Sequence, residues 1–240
     1  MFELTTENVA TLVVDGTAIV LLIGIFLETS IMRKRGRDDD KLFFGLLIFN
    51  AIFALADIVT YLADRKDFSG ARYLNMGGVS ISYIVLVFTF MTWFYYCMVR
   101  FQGIETRLPK KKKLLFIPGL IMEALLFVNF FTGFVFNVDE NNIYHYGILF
   151  VPMFIIMGFY FVMCIRIVNK YRTGTDKKEL IPVWLYMLPL VVGLIVPFVL
   201  KGISLTSVGL AMSICFTHLG SASEIVNSDE FSDTEGGETV

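Results

Sequence analysis

The sequence predicts an all-α integral membrane protein: a bundle of seven transmembrane helices, with the N-terminus outside the cell and the C-terminus in the cytoplasm. Three observations lead to this prediction, namely the composition, the spacing of apolar runs and the distribution of basic residues. Of the 240 residues, 56% are hydrophobic and 18% are charged, and the mean hydropathy is +0.69. An ordinary soluble domain is much less apolar, so a multi-pass membrane protein is expected.

Seven apolar runs are long enough to cross the roughly 30 Å hydrocarbon core, which takes about 18 residues or more of helix. They are Val9–Met32, Leu42–Leu62, Leu74–Met98, Leu114–Phe136, Ile143–Val168, Ile181–Leu200 and Ile203–Gly220. Only Lys201 and Gly202 separate the last two runs. We expect two helices there, because a single helix over both runs would be about 60 Å long, twice the bilayer core. One broken helix is the alternative.

The basic residues fix the predicted orientation. Sixteen of the 20 Lys and Arg residues fall in the odd-numbered connections, and only four fall in the even-numbered ones, namely Arg65, Lys66, Arg72 and Lys201. Because cytoplasmic connections are enriched in Lys and Arg, this bias predicts a multi-pass protein of the plasma membrane with its N-terminus outside. The basic run Lys110–Lys113 directly precedes the fourth span and suits anionic lipid headgroups, so no nucleic-acid partner is expected.

The C-terminal segment Ser221–Val240 contains six Asp and Glu residues, two adjacent glycines and no Lys or Arg. Such a segment cannot bury enough apolar surface to offset the entropy of ordering. We expect residues 1–220 to form the membrane domain and residues 221–240 to be a disordered acidic cytoplasmic tail.

Polar side chains inside the predicted spans are the candidates for function, because an ionisable group at a helix centre costs roughly 2.5 to 3.5 kcal/mol. The ligand-binding hypothesis rests on seven residues, which are Asp15, Asn50, Asp57, Asp139, Asn142, Tyr144 and Lys201. Glu123, near the middle of the fourth span, and Ser207, on the polar seventh span, are the other intramembrane polar groups.

Most of these residues are predicted to lie toward the outer side, where the acidic connection Thr132–Gly147 is also expected. A small outward-facing pocket, built from spans one, two, six and seven beneath that connection, is one interpretation. The alternative is that Asp15 and Asp57 reach water or pair with Arg65, Arg72 or Lys201. Asp and Asn residues in the connection could equally serve as helix caps.

No pattern of catalytic or metal-binding residues is present. His145 and His218 are predicted on opposite sides of the membrane, and neither a His-Glu-x-x-His motif nor a P-loop occurs. Cys97, Cys164 and Cys215 all lie in apolar runs, so we expect small core residues and not disulfides. The sequence therefore predicts neither catalysis nor a bound cofactor.

Two stretches resemble a known family. Thr-Gly-Phe-Val-Phe followed by Asp-Glu-Asn-Asn-Ile-Tyr-His-x-Gly, within 132–147, resembles the connection between spans four and five in membrane sensor regions of clostridial diguanylate cyclases and related GGDEF or EAL proteins. Pro197 and the run 203–211, Ile-Ser-Leu-Thr-Ser-Val-Gly-Leu-Ala, look like the final helix of that region. A similar seven-helix arrangement precedes some histidine kinases, and the likeness covers residues 1–220.

The resemblance implies a sensor that passes an extracytoplasmic or intramembrane signal through its last helix to a cytoplasmic output domain. In the family the chain continues into that domain, whereas here twenty residues follow Gly220 and no Gly-Gly-Asp-Glu-Phe motif occurs. The hypothesis is therefore a stand-alone sensor or receptor-like module in the lipid bilayer that signals to a separate cytoplasmic kinase, cyclase or regulator; a homodimer stays open. The alternatives are a small seven-helix transporter and a truncated relic of a membrane diguanylate cyclase.

Overall fold

The structure is a computed structural model that describes residues 6–32, 38–102, 109–172, 183–199 and 204–219. The described helices are α1 (Thr6–Met32), α2 (Asp38–Ala63), α3 (Ala71–Gln102), the single turn α4 (Lys110–Lys113), α5 (Ile117–Thr132), α6 (Phe150–Arg172), α7 (Val183–Val199) and α8 (Thr206–Leu219). A 3₁₀ turn, Leu114–Phe116, joins α4 to α5. Two short strands, β1 (Phe136–Val138) and β2 (Tyr144–Tyr146), lie between α5 and α6.

Five helical segments are long and apolar enough to cross a membrane. They are Asn8–Ser30, Asp40–Ala63, Ala71–Phe101, Lys111–Thr132 and Phe150–Lys170. The predicted spans one to three are close to these bounds. The described parts of the predicted sixth and seventh spans, α7 and α8, contain 17 and 14 residues and are shorter than that group. The chain thus has the helices of a membrane-embedded bundle, and large apolar side chains such as Val20, Phe131 and Ile155 lie exposed on its outer surface, as lipid contact requires.

Helix α3 lies at the centre of the bundle, packed against α2, α5 and α6. Its Trp93 and Phe94 are almost completely buried, and Phe94 contacts Phe116 and Tyr160 with ring centroids 5.5 and 5.6 Å apart. The Tyr160 hydroxyl accepts a hydrogen bond from the Gly119 backbone amide at 3.0 Å, which satisfies one of the free amides in the first turn of α5. These aromatic contacts hold α3, α5 and α6 together at one end of the bundle.

The predicted start of the fifth span, at about Ile143, is wrong, and the mostly α-helical protein contains one short β-hairpin that was not predicted. Residues 136–146 form an antiparallel β-hairpin with Phe136 opposite Tyr146 and Val138 opposite Tyr144, and α6 begins only at Phe150. The predicted fourth span also ends early, at Thr132, because Gly133 adopts a left-handed conformation with φ 64° and caps α5.

Asn129, on the last turn of α5, fixes the hairpin to the bundle. Its completely buried side chain accepts a hydrogen bond from the Val135 amide at 2.7 Å and donates one to the Phe136 carbonyl at 2.9 Å. Arg72, at the start of α3, donates from Nε to the Val138 carbonyl at 3.1 Å. The hairpin is therefore held from both α5 and α3.

The two ends of the bundle differ in chemistry. At one end the hairpin meets the α2–α3 connection, where the Arg65 amide donates to the Asn142 carbonyl, and Asn8 of α1 donates to the Tyr61 carbonyl. At the other end the last turns of α1 and α8 meet the start of α2, where His218 stacks on Phe43 and lies 3.5 Å from Glu28. The described basic residues near the helix ends on this second side are Lys41, Arg100, Lys111, Lys112, Lys113, Arg166 and Lys170.

Candidate functional site

A cavity of about 260 Å³ lies beneath the hairpin. Its described wall comes from α2, α3, the hairpin, α6, α7 and the residues that begin α8. The predicted pocket therefore has the expected position under the connection, but its predicted composition is wrong in part. No described residue of α1 lines it, whereas α3 and α6 contribute much of the wall.

Aromatic side chains form a large part of the cavity wall. They are Phe53, Tyr61, Tyr83, Tyr144, Tyr146, Phe150 and Phe154. Several of them contact one another: Tyr83 meets Phe150 edge to face at 6.1 Å, and Tyr146 lies 4.4 Å from Phe150 by ring centroids. Since Tyr146 lines the cavity and is 65% exposed, the cavity opens beside the hairpin.

Tyr144 connects the hairpin to the central helix, as its hydroxyl lies 2.7 Å from the hydroxyl of Tyr83. Burial, followed by the neighbouring Tyr83 hydroxyl, raises the pKa of Tyr144 well above that of an exposed tyrosine. Both phenols therefore remain neutral hydrogen-bonding groups at physiological pH. Tyr144 was a predicted site residue, and the structure places it in the cavity wall.

Asp57 is the predicted carboxylate that faces the cavity. It accepts a hydrogen bond from Ser204, and its Oδ2 atom is buried without a hydrogen-bond partner. Asp57 is half-buried by surface area and belongs to the cavity wall.

Asp15 lies behind this wall and is completely buried. Its Oδ1 accepts a short hydrogen bond from Ser207, and its Oδ2 has no hydrogen-bond partner. The Asp15 and Asp57 carboxyl groups are close enough to interact electrostatically. Within the described chain neither carboxyl forms an ion pair with Arg65 or Arg72, so that alternative is wrong for these two arginines.

Asp64 is a second carboxylate in the cavity wall, one residue beyond α2. Burial raises its pKa, and the Arg65 guanidinium, 3.7 Å away, acts in the opposite direction. The Arg65 side chain is 74% exposed, so solvent screens this ion pair. Asp64 was not among the predicted site residues.

Asn75 and Ser82 of α3 complete the polar part of the wall, and both were missed by the sequence reasoning. Asn75 is completely buried and donates its amide to Asn142 Oδ1 at 2.9 Å and to Asp64 Oδ1 at 3.3 Å. Its own Oδ1 has no partner, and neither has the hydroxyl of Ser82, which is 5% exposed. Both side chains are neutral, so the cost of burying charge gave no indication of them.

The remaining predicted residues lie outside the cavity wall. Asn50 is buried and donates to the Leu46 carbonyl of its own helix at 2.7 Å. Glu123 is 3% exposed on α5, and both carboxyl oxygens lack a hydrogen-bond partner. Lys201 lies outside the described residues, as does the predicted acidic tail.

Asp139 stabilises the hairpin turn, whereas Asn142 satisfies a free carbonyl at the end of α2, so the helix-capping interpretation holds for Asn142 but not for Asp139. Asp139 accepts hydrogen bonds from the Ile143 amide at 2.9 Å and from His145 at 3.0 Å; these contacts, the Ile143 amide first, lower its pKa. Asn142 is 4% exposed with φ 59° and donates to the Ala63 carbonyl at 2.6 Å. Asn142 thus joins the hairpin to the end of α2.

Hydrogen bonds between helices account for the polar side chains of α8. Thr206 donates to the Gly193 carbonyl at 3.1 Å, and Ser213 accepts from the Leu190 amide at 3.1 Å. The Gly193 carbonyl has no helical partner of its own, because residue 197 is a proline and lacks the amide that would donate to it. Ser207, a predicted site residue, joins α8 to Asp15 in the same way.

No group of three or more His, Cys, Asp or Glu side chains in the described chain is arranged to hold a metal ion. The three cysteines are free thiols. No protein-family model, curated protein or solved structure matches this chain.

Proposed function

We propose that the chain is a receptor-like membrane sensor: a small ligand enters the cavity beneath the hairpin from outside the cell, and a separate cytoplasmic kinase, cyclase or regulator receives the signal. The observation that carries the proposal is the cavity itself, which lies beneath the hairpin, opens beside it, and is lined by aromatic and unpaired polar groups. It is smaller than the roughly 300 to 1,000 Å³ of typical drug-sized pockets, so the ligand is small.

The proposed orientation follows from the two ends of the bundle. The described basic residues at the end opposite the hairpin are numerous, which favours a cytoplasmic location for that end and an external location for the hairpin. With seven spans, counting α7 and α8 as the last two, the N-terminus is outside and the C-terminus inside. The chain then lies in the plasma membrane with its cavity open to the exterior.

Helix α8 supports signalling because its beginning lines the cavity. Ser204 and Thr206 belong to the cavity wall, and Thr206 also bonds to Gly193 of α7. A ligand that displaces either residue therefore changes the packing of the last two helices. This fits the direction of signalling implied by the sensor resemblance, from the outer cavity through the final helix.

The test is affinity purification from the producing cells with a cavity-filling variant, Val79→Phe. Val79 is 7% exposed in the cavity wall, and the matched control Ile81→Phe changes a side chain that is 47% exposed on the same helix. The wild type should co-purify with a kinase, cyclase or regulator, and Val79→Phe, but not Ile81→Phe, should change the recovery. Absence of any such partner, or identical behaviour of both variants, would contradict the proposal.

A transporter is the second candidate, favoured by the buried carboxyl groups of Asp15 and Glu123. Both retain oxygen atoms without hydrogen-bond partners, as intramembrane proton relays do. Uptake of a solute into proteoliposomes that is abolished by Asp57→Asn or Glu123→Gln would establish transport and displace the sensor proposal.

A further inference from the structure

The described cavity wall is acidic and lacks cationic groups. Asp57 and Asp64 line it, Asp15 lies directly behind Asp57, and no described Lys, Arg or His side chain belongs to the wall. Carboxylates in a low-dielectric site are costly unless a positive charge or hydrogen-bond donors compensate them. A cationic ligand in the cavity would supply that charge.

The unpaired atoms of the wall specify the ligand further. Asp57 Oδ2 and Asn75 Oδ1 are acceptors without partners, and the Ser82 hydroxyl is also unpaired. The Asn75 amide nitrogen already donates to Asn142 and Asp64, so its oxygen is the atom that remains for a ligand. These acceptors favour a ligand that carries hydrogen-bond donors, which the N–H groups of an ammonium ion supply.

The aromatic wall suits the same class of ligand. The faces of Tyr and Phe rings attract cations, with about 0.5 to 2 kcal/mol gained per favourable contact. Tyr61, Tyr83 and Phe150 line the cavity together with Asp57. An aromatic wall combined with a carboxylate binds an organic ammonium group more favourably than it binds a hydrated metal ion, which prefers several oxygen ligands.

We infer that the cavity beneath the hairpin binds a small organic ammonium ion that retains at least one N–H donor, held by Asp57, Asn75 and Ser82 within the aromatic wall. This inference names the ligand class of the proposed sensor and rests on that function for its role, although the binding site is testable by itself. The same ammonium chemistry occurs in a free amine and in the headgroup of phosphatidylethanolamine.

The test uses the full chain in phosphatidylcholine nanodiscs and follows thermal unfolding with a thiol-reactive dye, since Cys97 and Cys164 are buried until the bundle opens. The probes are n-butylamine, butyltrimethylammonium and 1-pentanol, at equal millimolar concentrations. A ligand of the folded state raises the unfolding temperature in proportion to its occupancy. Butylamine should stabilise the wild type most. Butyltrimethylammonium, which is a cation without N–H groups, and 1-pentanol, which is uncharged, should both have much smaller effects.

Two pairs of variants locate the site. Asp57→Asn should need at least tenfold more butylamine than the wild type for the same rise in unfolding temperature. Glu123→Gln changes a buried carboxyl outside the cavity wall and should need the same concentration as the wild type. Ser82→Ala should weaken it several-fold, whereas Ser80→Ala should not, because Ser80 bonds to Met76 of its own helix at 2.7 Å. Equal stabilisation by all three probes, or full stabilisation of Asp57→Asn, would overturn the inference.

A last arm separates the two sources of the ammonium group. Nanodiscs that contain phosphatidylethanolamine should stabilise the wild type and compete with butylamine if the headgroup occupies the cavity, and should have no effect if the ligand is a free amine. Either result supports the ammonium site. If the protein binds amines but no cytoplasmic partner co-purifies, only the sensor proposal is contradicted. If a partner co-purifies and Val79→Phe changes its recovery, but the protein binds no amine, only the ligand class is contradicted.

Discussion

Replacement of Asn142 by alanine should be among the most destabilising changes in the hairpin. The substitution removes the hydrogen bond to the Ala63 carbonyl at 2.6 Å and the one received from Asn75 at 2.9 Å, each worth about 1 kcal/mol when buried. At φ 59° the backbone of residue 142 is left-handed, which alanine tolerates less well than asparagine because it has no polar side chain to form a local hydrogen bond. This difference costs about 1 kcal/mol. The expected loss of unfolding free energy is about 3 kcal/mol.

Two companion variants of this turn separate the contributions. Asn142→Gly loses the same hydrogen bonds but tolerates the left-handed conformation, so it should retain about 1 kcal/mol more stability than Asn142→Ala. Asn141→Ala changes an exposed neighbour in the same turn and should have little effect.

Thermal unfolding, detected by labelling of Cys97 and Cys164, measures all three Asn variants. The alanine variant at 142 should unfold about 6 to 12 °C below the wild type for a chain of this size. If Asn142→Ala behaves like Asn141→Ala, the hairpin is not anchored through this amide. If the glycine variant is no more stable than the alanine variant, the backbone argument is wrong.

Two further predictions concern the helix contacts and the turn. Gly193→Ala should destabilise the α7–α8 pair, because a Cβ at Gly193 would lie 2.6 Å from the Leu205 carbonyl oxygen. Gly158→Ala should not be destabilising, because no atom lies within 4 Å of a Cβ at that position. The unfolding temperatures of the two variants test this difference. Asp139→Asn should reduce the loss of stability in acid. Hydrogen bonds from the Ile143 amide and His145 lower the pKa of Asp139 from 3.8 in the folded protein. The ionised carboxylate therefore stabilises the fold above pH 3.8, and this stabilisation is lost as the pH falls through the folded-state pKa. Wild-type and variant unfolding temperatures from about pH 5 down to about pH 2 check this, and parallel curves would refute it.

Hydropathy predicted the early helices well because each is a continuous apolar run bounded by charged residues. It failed at Ile143–Leu149, where apolar and aromatic residues form a strand and a turn before α6 begins. Mean hydropathy does not distinguish a buried hairpin from the first turns of a span. The signals for the hairpin were Gly133 and the Asp139–Asn142 turn, since Gly and Asn permit the backbone conformations that a helix excludes.

The cavity was predicted only in outline. Its position under the connection and two wall residues, Asp57 and Tyr144, followed from the sequence. The central role of α3 did not, because helix packing depends on which faces meet, and one sequence does not give that information. Asn75 and Ser82 are neutral, so the cost of burying charge, which singled out Asp57, gave no indication of them.

The last described helix connects the two ends of the molecule. Thr206 lies in the cavity wall, and His218, twelve residues later on α8, stacks on Phe43 at the opposite end. At about 1.5 Å per residue these two positions are about 18 Å apart along one rod. The start of α8 also lies directly against α7 at Gly193, with no side chain between them. A rotation of α8 by a few degrees at the cavity would therefore reposition His218 against both Phe43 and Glu28. The helix therefore connects the cavity wall at one end of the bundle to the basic residues at the other.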